Sequence, residues 1–242
     1  MKRDLQGIVL VLVGAMILRL AVGDQFLFYV SAGMRPWLLL SGVALIILGA
    51  YQWWELWREG RSAGHHDDQH TAVDADGHDH TTGPRVAYLL LIPVLAVYLV
   101  IPSALGSFSA ARQTTTSTAP AVDARLPAVS GDPATMPLRD YVVRAVWDSG
   151  RTLRGHTVEL TGFVTPNPEG GWWLTRMAMT CCAADAQASR IAMVGAPAPA
   201  ADAWVTVTGT WTPGGGLQDP TAIPLMRADR VHPVAQPRDP YE

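Results

Sequence analysis

Within the first 109 positions apolar residues gather in three long runs; from about residue 138 they recur at short, alternating intervals. The first run covers about 5–27, from Leu5 through Val22 and on toward Leu27. The second covers 36–57, opened by Pro36 and Trp37 and closed by Trp53, Trp54 and Trp57. The third covers 86–106, with Pro93 inside and Pro102 near its exit. About 20 apolar residues in a helix cross a hydrocarbon core of about 30 Å, and tryptophan collects at the interface. Residues 1–109 therefore read as an α-helical transmembrane region of three spans. A cleaved signal peptide competes for the first run, and a re-entrant segment, kinked at Pro93, competes for the third. Gly14, Gly42 and Gly49 can admit close helix contacts, Gly42 and Gly49 lying two turns apart on one face.

Basic residues orient these spans. Lys2, Arg3, Arg58, Arg61 and Arg85 share one side if there are three crossings, leaving Arg35 with Asp24 on the other. Cytoplasmic loops carry the excess of Lys and Arg. The N-terminus and the 58–85 loop are then cytoplasmic, and the remainder of this multi-pass cell-membrane protein is extracytoplasmic.

Residues 110–137 are rich in Ala, Thr, Ser and Pro and read as a flexible tether. The 138–242 domain begins with apolar positions at helical spacing over Leu138–Trp147, stopped by Asp148-Ser149-Gly150. Five short strands follow: His156–Val164, Trp172–Thr180, Ser189–Val194, Ala203–Trp211 and Ile223–Val231. Pro166-Asn167-Pro168-Glu169-Gly170-Gly171 and Pro213-Gly214-Gly215-Gly216 mark turns. Gly162 and Gly209 interrupt strands where closure needs a sharp bend. The domain is expected to be a small all-β, OB-like barrel of five strands, with a small β-sandwich as the rival. Of the adjacent Trp172 and Trp173, which face opposite ways in a strand, at least one belongs to the core.

Composition narrows the partners. The chain has a net charge of −3, which gives no general attraction for nucleic acid. Lys2 is the only lysine among 18 basic residues, which reads as coding bias rather than a phosphate-binding surface.

Two places carry candidate chemistry. Five of the seven histidines, His65, His66, His70, His78 and His80, crowd into the second loop among Asp67, Asp68, Asp74, Asp76 and Asp79. Imidazole with carboxylate suits zinc or another divalent metal, although no regular spacing marks a closed site, and a solvated loop is the plain alternative. The only two cysteines, Cys181 and Cys182, are adjacent. A disulfide prefers Cα atoms about 4.4–6.8 Å apart, against about 3.8 Å for neighbours, so the pair is no ordinary staple. Four readings stay open. They are a metal site completed by Asp185 or His156, a strained redox pair, a nucleophile with His156 or His232 as base, and two small buried apolar side chains. Asp185 has a second reading as the cap of a following turn.

The stretches Val158–Val164, Leu174–Ala186 (with its Cys181-Cys182-Ala183-Ala184-Asp185-Ala186 element) and Trp204–Thr210 resemble the YcgQ family, bacterial membrane proteins described as permease subunits. The resemblance runs through nearly the whole chain, including Leu105-Gly106-Ser107. It implies a polytopic permease-like partner of the YcgR type and carries over no catalytic residues. Sequence and resemblance together lead us to expect a non-enzymatic, membrane-anchored accessory subunit of a transporter, handling a divalent metal or another small solute. An extracytoplasmic thiol or redox protein built on Cys181 and Cys182 is the alternative.

Overall fold

The computed structural model describes residues 2–62, 92, 96, 99, 103–113, 117 and 126–242. The histidine loop lies outside these residues. The chain divides into two compact units, one of residues 1–26 and 32–102, the other of residues 27–31 and 103–242.

The first unit is built on helices α1 (Lys2–Val22) and α2 (Arg35–Ser62). They pack through glycines that approach backbone to backbone. A Cβ on Gly14 would lie 2.8 Å from the Gly42 carbonyl oxygen, and one on Gly49 2.8 Å from that of Gly7. The sequence-predicted glycines thus meet across the helix pair, joined by Gly7, so that two seven-residue steps run in opposite directions. An ion pair of 3.4 Å between Arg35 and Asp24 closes the turn. Away from the seam, α2 leaves Trp37, Leu40, Ile47, Leu48, Trp53, Trp54 and Trp57 exposed. Among the described residues one helix, Ala32–Arg58, is long and apolar enough to cross a membrane, with a shorter apolar helix over Gln6–Val22. Of the third apolar run, Ile92, Ala96 and Leu99 are helical. Its expected extension over Ser103–Gly106 is non-helical and belongs to the second unit.

The second unit is a closed five-stranded barrel. Its strands are β2 (Thr157–Pro166), β3 (Trp172–Ala178), β4 (Gln187–Val194), β5 (Trp204–Thr212) and β6 (Leu225–Pro233), after a two-residue β1 (Ala134–Thr135). The order is β2-β3-β4-β6-β5, and β5 pairs back on β2 to close the ring. The β4–β6 ladder is parallel and the other four ring ladders are antiparallel. Each barrel strand sends alternate residues inward: Val158 and Leu160, Trp172 and Leu174, Ile191 and Met193, Val205 and Val207, Met226 and Ala228. This period of two is the strand alternation visible in the sequence. Trp172 is the core tryptophan, its indole donating to Ala196 O at 3.2 Å, while Trp173 turns outward beneath the Arg190 guanidinium.

Closure depends on the two strand glycines. A Cβ on Gly162 would lie 2.6 Å from Thr175 O, and one on Gly209, beside the bulge in the β5–β6 ladder, would strike Arg227 O. The β2–β3 turn folds on Asn167, whose side chain accepts Glu169 N–H at 3.0 Å. Helix α4 (Leu138–Trp147) fills one side of the core with Leu138, Tyr141, Val142, Ala145 and Val146, at helical spacing. Leu138, Val142 and Val146 each contribute about 1.5–3 kcal/mol by leaving water. Pro137 offers no capping side chain; instead Glu242 accepts the Leu138 and Arg139 amides at 2.8 and 3.1 Å.

A second apolar cluster lies outside the ring: Phe163, Met177, Ala186, Ala188 and Tyr241, covered by Ala110 of the short helix α3 (Ser107–Ala111). The buried Arg190 guanidinium donates to the carbonyls of Ala110 and Gln113. Gln113 in turn accepts Ala188 N–H at 3.1 Å, and Ser117 N–H donates to Pro220 O at 2.7 Å. The described residues of the 110–137 stretch, expected to be a free tether, are thus fastened to the barrel at these points.

Candidate metal centre

Strand β3 ends at Ala178, and the chain reaches β4 through a turn that carries both cysteines. Residues Ala183–Asp185 form one 3-10 turn with the extended Cys182 as its N-cap. Asp185 stands three places after Cys182, the spacing of a capping box, and its carboxylate reaches back across the turn. Oδ1 accepts Thr180 N–H at 2.9 Å; Oδ2 accepts Cys181 N–H at 2.8 Å and Cys182 N–H at 3.4 Å. The capping reading of Asp185 is therefore realised. A carboxylate has about four lone-pair positions, so three amides leave room for one further partner.

This bonding brings three soft or charged donors together. Cys181 Sγ lies 3.6 Å from Cys182 Sγ, and both sulfurs and an Asp185 oxygen lie within 4.8 Å of one another. Both cysteines are free thiols, Cys181 exposed and Cys182 half-buried, so the fully buried apolar reading does not hold. Two thiolates bound at about 2.3 Å to a tetrahedral ion stand roughly 3.8 Å apart. The existing separation is close to that bite. With Asp185 as a third donor, one tetrahedral position stays open to solvent.

Electrostatics act on the same atoms. The Asp185 carboxylate, then the Cys182 thiol, push Cys181 up to about 12. The Cys181 thiol, then the amides of Thr180 and Cys181, hold Asp185 down at about 2. A nucleophilic cysteine needs the opposite shift. His156, expected as a ligand or base, is not among the three clustered groups; its place is the mouth of β2, where its amide donates to Leu153 O at 3.2 Å. His232 lies on β6 opposite Thr206. A cavity of about 390 Å³ opens beside the turn, lined by Thr180, Asp185, Gln187, Ser189, Arg139 and Glu242.

One element of the site has no strong sequence signal. Residues 27–31, an apolar continuation of the first run by composition, bond to the cysteine turn. Val30 forms an antiparallel bridge with Cys182; Ser31 N–H donates to Cys181 O at 3.1 Å, and Ala183 N–H to Tyr29 O at 2.7 Å. Tyr241 holds the same segment, its hydroxyl donating to Phe28 O at 3.0 Å while accepting Leu105 N–H at 3.1 Å.

Fold and site together define a class: a helix pair joined to a closed five-stranded barrel that displays a dithiol turn. The DUF1980 N-terminal domain matches residues 5–115 and the DUF1980 C-terminal domain matches residues 142–242, and the chain belongs to this family. No curated protein and no solved structure matches it.

Proposed function

We propose that the protein is a non-enzymatic, multi-pass membrane accessory subunit of the YcgQ type. Its OB-like barrel lies on the extracytoplasmic side and offers Cys181, Cys182 and Asp185 to zinc or another divalent cation. A polytopic, permease-like protein of the YcgR type, held through the lipid-embedded helices, is the partner that moves the cation. The strand order β2-β3-β4-β6-β5-β2, with its single parallel pair, fits an OB barrel whose helix precedes the first barrel strand.

The observation that carries this reading is connectivity. Residues 27–31 join α1 to α2 and belong to the barrel unit. In this reading residues 27–31, bonded within the barrel unit, lie on the extracytoplasmic side. Helix α2, with 28 residues, is about 42 Å long, more than the about 30 Å of a hydrocarbon core. Ser103 is again part of the barrel unit, which supports a third crossing in this reading. The proposal thus takes an odd number of crossings, with the cysteine turn outside and the histidine loop inside. The exposed apolar face of α2 supports a lipid or helical neighbour there.

The metal reading draws on the sulfur separation, the adjacent carboxylate and the open fourth position. An exposed, incompletely liganded site suits an ion in transit better than a structural ion, which takes four closed ligands. Reporter fusions test the arrangement: a fusion after Glu242 is active only outside the cytoplasm and one after Ser62 only inside. Both reporters active on one side would refute it. The alternative, an extracytoplasmic redox protein, draws on the same sulfur proximity; the raised Cys181 argues against its nucleophilic form.

A further inference from the structure

We propose that a disulfide between Cys181 and Cys182 unfastens the segment joining α1 to α2 from the barrel. The cysteine pair then acts as a redox-sensitive clasp. The inference deepens the site just described; it rests on that pair as the site but not on the metal it takes.

The clasp is made of backbone. Ser31 N–H is held by the carbonyl of Cys181, and Tyr29 O by the amide of Ala183, so the two bonds flank Cys182. The peptide between the cysteines therefore has two duties. Its carbonyl holds Ser31, and its N–H points at Asp185 Oδ2 at 3.4 Å.

Closing the sulfurs from 3.6 Å to a bond of about 2.05 Å makes an eight-membered ring that contains this peptide. Adjacent Cα atoms already sit nearer than a disulfide prefers, so the adjustment falls on the torsions around the shared peptide. Cys182 starts from an extended φ of −154° and ψ of 166°. Turning the peptide carries the Cys181 carbonyl away from Ser31 and loosens the Val30–Cys182 bridge. The bond from Tyr241 to Phe28 lies outside the ring and survives, so release is confined to residues 29–31.

The chemistry balances through a disulfide oxidant. The two thiols and one RSSR give the Cys181–Cys182 disulfide and two RSH; the cysteines lose two electrons and two protons, which the oxidant takes up. A tetrahedral ion has the contrary effect. Its bite of roughly 3.8 Å nearly matches the present separation, so the peptide need not turn and the clasp stays shut.

The test is amide exchange on the full chain in nanodiscs, comparing reduced protein with protein treated with oxidised glutathione, and the double variant C181S/C182S treated alike. Intact mass confirms loss of two hydrogens. The expected result is roughly tenfold or faster exchange at Ser31 and Ala183 on oxidation, with β3 and β4 unchanged and no response in the double variant. Unchanged exchange at Ser31 in protein that has lost the two hydrogens overturns the proposal. So does the formation of glutathione adducts in place of the internal bond. A further arm with zinc separates the two readings: if zinc fails to slow oxidation, the metal reading falls while the clasp stands.

Discussion

Asp185 accepts the backbone N–H of Cys181 at 2.8 Å while its negative charge bears on the Cys181 thiol. One carboxylate therefore shapes the turn and keeps its exposed sulfur protonated. Alkylation of Cys181 by iodoacetamide is expected to rise only toward a midpoint of about 12. Asp185→Asn brings the thiol back toward its usual range near 8.5, and alkylation at pH 8 accelerates on the order of 100-fold. Equal rates for the variant and the parent, with the barrel intact by circular dichroism, would contradict this electrostatic role.

The same shifts set a pH window for the turn. Asp185 is depressed, so its contribution is complete above its unfolded value of about 4 and is lost as pH falls through about 2. Cys181 is raised, so its contribution is complete below about 8.5 and is lost as pH rises through about 12. The turn is best held between these limits. A carbon-13 NMR titration should place the Asp185 midpoint near 2, and a midpoint near 4 would remove the argument.

Glycine at the helix seam is a packing requirement. Gly14→Val places a Cβ 2.8 Å from the Gly42 backbone oxygen, which cannot rotate away. The expected loss is about 1–3 kcal/mol for the helix pair, read as a lower unfolding midpoint in detergent. Gly33→Ala, where nothing lies within 4 Å, is the control and should change little.

Arg190 fastens α3 to the barrel by donating to the Ala110 and Gln113 carbonyls. Hydrogen bonds to charged groups contribute about 1.5–3 kcal/mol each. Arg190→Leu should free residues 107–113 to protease while the barrel remains folded. Tyr141→Phe tests the core instead: it leaves Leu225 O, which now accepts from the Tyr141 hydroxyl at 2.8 Å, without that partner. The expected cost is about 1–3 kcal/mol, measured by denaturant unfolding.

Much of the barrel is legible in the sequence because its information is local. Val205 and Val207 show the inward alternation, Gly162 and Gly209 mark the bends, and Leu138 to Val146 show helical spacing. The turn is legible in part: the Cys182-to-Asp185 spacing indicates a cap, yet nothing local reports that the two sulfurs stand 3.6 Å apart. The clasp is not legible. Phe26 to Val30 reads as more span, and its attachment is made by backbone groups that every sequence possesses. Glu242 is likewise an unremarkable carboxylate until the fold sets it over the amides of Leu138 and Arg139. His156, which lies outside the clustered donors, shows the converse. Residue type nominates it, but only three-dimensional position decides whether an imidazole reaches a pair of thiols.

The account turns on whether Cys181 and Cys182 hold a divalent cation. Titration of the reduced full-length protein with cobalt(II) tests this directly, because thiolate-to-cobalt charge-transfer absorption reports sulfur ligation and ignores ions bound by histidine or carboxylate elsewhere. The account predicts a saturable thiolate band at one cobalt per chain, proton release on binding, displacement by zinc, and no band in C181S/C182S. Cobalt binding without a thiolate band, or a band that survives in the double variant, contradicts it.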